Sequence, residues 1–225
     1  MEERSARRGR PPTSDSDRRR QRLAISREAV RLFRDRGVAD TPGAEIARAA
    51  GVSERTLWRL FRTKEACVEP LLTEALDGFC AVLRSWPDGV ELDEHLRVAY
   101  RLAPGGAGAD TRDVDTRDVD MQDVDMQDID AVLAVVRMSR ENPALRAVWL
   151  VLQERAEPTI AEVLAPRLGI DPGGLSARLR AASVNAAFRV VTDDVAGAAA
   201  GGITAGTLDG HRHRLAEILR DVGTA

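Results

Sequence analysis

Between Ile46 and Phe61 the sequence reads IARAAGVSERTLWRLF, which sets Ser53, Arg55, Thr56, Trp58 and Arg59 within seven residues of one another. None of these groups suggests bond making or breaking. They are hydrogen-bond donors, and a guanidinium's forked N–H groups match phosphate and guanine. Their positions follow from the apolar residues around them. Ile46 and Ala47 mark one face of a first helix. Ala50-Gly51-Val52-Ser53 breaks that pattern: Gly51 suits the left-handed backbone of a short turn, Val52 plugs the joint, and Ser53 is a good N-cap. Leu57, Leu60 and Phe61 then return at helical spacing, with Glu54 and the donors among or between them. This is the pattern of a helix-turn-helix, whose second helix enters a DNA major groove.

Other chemistries find little support, and the expectation is a protein that is not an enzyme and carries no cofactor or metal. The chain has no Gly-rich phosphate loop, no Cys/His zinc spacing and no Gly-x-Ser-x-Gly elbow. His211 and His213 are two apart on a helix and face different ways. His95 stands alone, and all three read as surface residues. Cys67 and Cys80, thirteen apart on one expected helix, point away from each other and read as plain thiols in a reducing compartment.

Residues 111–130 are four pentapeptides, TRDVD, TRDVD, MQDVD and MQDID, with eight aspartates against two arginines. A five-residue period fits neither helix nor strand, so no regular packing is expected. Asp-x-Asp spacing offers hard oxygen ligands, but no calcium-loop pattern follows. A repeat expanded in a solvent loop is the preferred reading.

The net charge of −3 hides an asymmetry: residues 1–64 carry 17 basic against 9 acidic side chains, and the remainder 16 against 27. A basic head on an acidic body points to a polyanion partner at one end, although basic N-termini are also commonly just solvated. Aromatics are 4 % and hydrophobic residues 44 %, so the core is aliphatic. No run reaches transmembrane length and no leader is evident, which leads to the expectation of a cytoplasmic protein without membrane contact.

Taken in order, residues 1–17 lack apolar periodicity and are expected to be a disordered basic tail. Arg18 to Arg22 is either an arm along DNA or a solvated tail. The first helix is expected from about Arg18 to Arg36, stopped by Gly37. Thr41-Pro42 is expected to cap and open the second. Thr63 caps a long fourth helix reaching Leu83. A short helix follows from about Leu92, then an acidic loop over 104–130. Helical spacing resumes at Ile129, at Asn142-Pro143, at Asp171-Pro172 and around Leu215, with a kink expected at Pro158. No segment reads as a strand, so the expected class is all-α.

From Ile25 to Glu65 the residues become specific. Ile25, Ala29, Leu32-Phe33, Gly37, Thr41, Ile46-Ala47, Ala50-Gly51-Val52-Ser53, Thr56-Leu57-Trp58, Phe61 and Lys64-Glu65 resemble the TetR (tetracycline-repressor-like) family of transcriptional regulators. The resemblance implies a three-helix DNA-binding domain over 18–63 and a helical ligand-binding and dimerisation domain over 64–225. Carried over by position, Ser53, Glu54, Arg55 and Thr56 begin the recognition helix. Arg55 is a candidate for a base contact, Arg59 for base or phosphate, Trp58 and Lys64 for phosphate, and Thr41 donates from the start of the second helix. Arg22 is included from the basic arm. Pro42-Gly43 and Leu60 depart from the family pattern; the first suggests looser packing of the second helix and the second a lost phosphate contact.

The same resemblance implies a homodimer on a palindromic double-stranded operator, released by a small-molecule effector of unknown identity. Trp86, Tyr100, Met138, Trp149, Asn185 and Phe188 are candidate pocket residues, with Arg137 or Arg189 available to an anion if buried. The last two long helices, with small residues Ala182, Ala186 and Ala187, are the expected dimer bundle. The alternative is a helical ligand- or protein-binding module whose head has lost specific recognition.

Overall fold

The computed structural model describes residues 14–99, 126–198, 210 and 213–217. Helix α1 (Asp15–Arg36) is capped by Ser14, whose Oγ accepts from Asp17 N at 3.1 Å, and its first turn is acidic and its last turn basic, as the helix dipole favours. It therefore begins inside the segment expected to be tail. Arg18 to Arg20, read as either an arm along DNA or a solvated tail, are helical and paired: Arg18 with Asp15, Arg19 with Glu74 and Arg20 with Asp17. Gly37 ends the helix at φ 87°, with its N–H on Phe33 O at 2.9 Å.

Helix α2 (Gly43–Ala49) is capped by Pro42 and not by Thr41. The Thr41 hydroxyl turns inward and donates to Gly37 O at 2.8 Å, closing the α1–α2 loop. Gly51 at φ 65° makes the turn as expected, Val52 N bonds Ala47 O at 2.9 Å, and α3 (Glu54–Leu60) follows. A 3-10 turn (Glu65–Val68), capped by the Thr63 hydroxyl on Ala66 N, leads into α4 (Glu69–Arg84). Cys67 lies in that turn and Cys80 in α4, both free and buried.

The body continues with α5 (Leu92–Ala99), α6 (Met126–Ser139), α7 (Pro143–Leu168) and α8 (Leu175–Ala198), and residues 213–217 are helical. Among the described residues there is no strand. Asn142 caps α7 as expected, accepting from Leu145 N at 3.0 Å, and the helix continues through Pro158 and Pro166. Asp171-Pro172 forms a turn ahead of α8, which starts at Leu175. Helix α7 packs on α8 and α4, α6 packs on both α7 and α8, and α1 leans on α4 and α6. One continuous apolar cluster runs from Ile25 in α1 to Leu215. Phe79 of α4 stacks on Phe188 of α8, with ring centroids 4.3 Å apart.

Two further expectations are overturned. The last pentapeptide, MQDID, is the first turn of α6. Ile129 is buried there, while Asp128 takes both forks of Arg27 at 2.7 and 2.6 Å and Asp130 pairs with Arg34. The α1 arginines supply the partners that let this unit pack; the preceding units lie outside the described residues. His95 is not a surface residue: it is buried, and its Nε2–H donates to Val82 O at 2.7 Å, tying α5 to α4. His213 is exposed beside Glu217, and His211 lies outside the described residues.

Candidate nucleic-acid interface

Helix α3 is anchored on α2 by Leu57, which is fully buried in the apolar cluster, while Phe61 closes its end. At its start, Ser53 Oγ accepts from Thr56 N at 3.2 Å and lies 2.9 Å from Thr56 Oγ1. A cap of this kind contributes about 1 kcal/mol and leaves the first-turn N–H groups facing outward. With Leu57 pointing inward, Glu54, Arg55, Trp58 and Arg59 point to solvent.

Arg55 and Arg59 are exposed, and no ion pair or hydrogen bond among the described residues engages them. This separates them from α1, where Arg27, Arg31, Arg34 and Arg36 all meet carboxylates. Arg48, at the end of α2, and Arg62, just past α3, are equally exposed and unengaged. Sequence reasoning missed both. The available signal was their position flanking α3 at either side.

Three of the expected contact residues are otherwise occupied. Arg22 lies 4.6 Å over the Phe61 ring, donates to Leu60 O at 2.7 Å and faces Glu69 at 3.6 Å, so it fastens α1 to the end of α3. Thr41 is buried as described. Lys64 Nζ donates to Val38 O at 2.5 Å and Ala39 O at 3.1 Å, which leaves one of its three hydrogens for an anion. Trp58 is 45 % exposed, and its six-membered ring lies over Gly43 at the start of α2.

Residues 25–71 match the family described as bacterial regulatory proteins, tetR family, and this stretch holds the whole of α2, the turn, α3 and the start of α4. Residues 25–71 are a TetR-family N-terminal segment. Over 153 residues it is 28 % identical to the HTH-type transcriptional regulator TcmR of Streptomyces glaucescens; the match takes in 68 % of this chain and spans 62 % of that protein's length. The TetR-family repressor FadR of Thermus thermophilus, solved in complex with lauroyl-CoA, superposes with a TM-score of 0.54 at 26 % identity, over 89 % of this chain and 92 % of that one. Salmonella enterica GusR shares the fold, with a TM-score of 0.53 at 16 % identity over 92 % and 98 % of the two chains.

The residues expected to line a pocket are scattered over the body. Trp86 sits in the turn after α4; its indole donates to Val90 O at 2.6 Å and Arg167 covers its ring at 4.7 Å. Tyr100 lies outside the described residues. Met138 is half-buried, and Phe188 is committed to its stack on Phe79. Trp149 and Asn185 are buried on α7 and α8, and Asn185 Nδ2 donates to the main-chain carbonyl of Gln153, itself buried one turn beyond Trp149. Arg189 shares Asp193 with Arg146, so it does not present a free cation to the interior. Among the described residues, no group of three or more His, Cys, Asp or Glu could hold a metal, and no helix is long and apolar enough to cross a membrane.

Proposed function

We propose that the protein is a sequence-specific DNA-binding transcriptional regulator: a cytoplasmic homodimer that occupies a palindromic operator and leaves it when a small molecule enters the helical body. The observation that carries this reading is the outward face of α3, where Arg55 and Arg59 stand exposed and unengaged on a helix capped by Ser53 and anchored by Leu57. Phosphate contacts come from Arg48, Arg62 and the spare hydrogen of Lys64, and base contacts from Arg55 and Arg59. Two such helices read half-sites about one helical turn, or a multiple of it, apart.

The dimer rests on α8. Leu175, Leu179 and Val190 are 68, 60 and 52 % exposed, and Ala186 is exposed between them on the same side of the helix. An apolar stripe of this length is unusual on a monomer and suits a two-fold contact with its own copy. Ala187, expected in the bundle, is buried against the core instead. Helix α4 packs on α1 of the head and stacks through Phe79 on Phe188, so a ligand that fits one arrangement of the body better than another can shift the heads.

A degenerate head has lost its motive, because both departures that suggested it have packing reasons. Trp58 fills the space at Gly43, and Leu60 lies against the core while its carbonyl receives Arg22. The test is binding to the DNA upstream of the protein's own gene, against scrambled DNA, over a salt series. Specific binding by two protomers per site is expected. Equal binding to both DNAs, steeply weakened by salt, would reduce the head to a nonspecific cation and sink the regulator reading.

A further inference from the structure

We infer that Trp149, Gln153 and Asn185 form a recognition subsite for an uncharged effector bearing both a carbonyl-type oxygen and a hydroxyl. The inference rests on the ligand-responsive reading above and gives it a chemical class. Trp149 and Gln153 are one turn apart on α7 and share a face; Asn185 meets that face from α8, its Nδ2 donating to Gln153 O at 2.9 Å and Glu157 Oε1 at 3.1 Å. All three side chains are at least 96 % buried. Yet Trp149 Nε1, both amide atoms of Gln153, and Asn185 Oδ1 have no hydrogen-bond partner among the described residues.

Buried polar atoms are nearly always paired, because leaving one unpaired sacrifices its hydration for nothing. Four on one helix–helix seam exceed what packing explains, and a glutamine unsatisfied at both ends adds nothing to packing that leucine would not. The directions are fixed by chemistry. Indole N–H only donates. The two acceptors on Asn185 Nδ2 orient its amide, so Oδ1 is left as an acceptor. Gln153 offers one of each. The complement therefore accepts from Trp149 and the Gln153 amide N–H and donates to Gln153 Oε1 and Asn185 Oδ1.

Charge narrows the class. The cluster holds no cation, and Glu157 stands beside Asn185, so a carboxylate or phosphate would be repelled where it needs a partner. The same two helices bury Leu152, Ile160, Val184 and Phe188, which suits an apolar framework around the polar groups.

The chain has three tryptophans, so its indole N–H region in a 1H–15N spectrum holds three signals, assignable by single Trp→Phe variants. The probe is 4-(4-hydroxyphenyl)butan-2-one, with butylbenzene and decanoate as apolar and anionic controls. The full-length protein is expected to show a saturable shift of the Trp149 signal with the hydroxyketone, at least about tenfold tighter than with either control, and no shift of Trp86. Gln153→Leu and Asn185→Leu are each expected to weaken the hydroxyketone by about tenfold. A Trp149 signal unmoved up to the probe's solubility limit, or one moved more readily by decanoate, overturns the inference. That comparison uses the wild-type protein and does not depend on the variants folding. Operator binding is measured separately. Specific DNA binding with a silent Trp149 loses the subsite and keeps the regulator; a responsive Trp149 without DNA binding does the reverse.

Discussion

The indole of Trp58 occupies the space that a side chain at Gly43 would need: a Cβ there would overlap Trp58 Cζ2 and Cη2. Gly43 needs no unusual backbone, because its neighbour Pro42 already sets an extended entry to the helix. What the position requires is the absence of atoms. Trp58 in turn lies against the first turn of α2, which holds a large exposed ring in one place beside Arg55 and Arg59.

Gly43→Ala is therefore expected to push the indole off α2 and to weaken operator binding, although alanine is the better helix former by about 0.5–1 kcal/mol. With Trp58→Ala in the background, the same change becomes neutral or stabilising. Urea unfolding of the four proteins of this cycle is expected to give a coupling of about 1 kcal/mol. Additive values would mean that the ring and the glycine do not share the space.

Arg55→Ala and Arg59→Ala are expected to cost about 1–3 kcal/mol each at the operator and to relax sequence preference at the base pairs they face. Arg62→Ala and Arg48→Ala behave differently: affinity falls on all sequences and the slope against log salt shrinks by about 1. Binding isotherms at several salt concentrations on operator and scrambled DNA distinguish the two behaviours.

Leu179→Glu places a carboxylate in the middle of the exposed α8 stripe. Sedimentation is expected to show a monomer that keeps its helical content, with operator affinity lost because one head alone reads a half-site. A variant that stays dimeric would move the interface off α8.

The Cys67 thiol is pushed up to about 12 from an ordinary 9.0, chiefly by burial and then by the Glu65 carboxylate. The native state keeps a proton that the unfolded chain gives up above pH 9.0. This contribution is thus complete below about pH 9, and it is lost as pH rises from there toward 12. Cys67→Ser is expected to flatten the alkaline fall in stability. In the native protein near pH 8 neither Cys67 nor Cys80 should react with Ellman's reagent, and both should react in urea.

The head was legible in the sequence because its signals are local. Ser53 acts three residues away, on Thr56; Gly37 closes on Phe33; Gly51 turns the chain where it stands. What escaped depends on partners far along the chain. Arg22 looks like part of a basic arm until Leu60 meets it across 38 residues. The last acidic pentapeptide looks like loop until Arg27 meets it across 101. Thr41 has the right type for a helix cap, and a carbonyl four residues back claims its hydroxyl first.

The unbroken apolar cluster from α1 through α4 and α6 into α8 matters to anyone who would treat this protein as interchangeable parts. A cut at the apparent boundary near Thr63 would expose the inner faces of α1 and α4 together and sever the Arg27–Asp128 and Arg34–Asp130 links. A transplanted head would need α4 with it, and new residues to meet the underside of α1. Chimeric sensors that graft this head onto a foreign body should succeed only when that body supplies both an apolar seat and an acid pair at the start of its own α6.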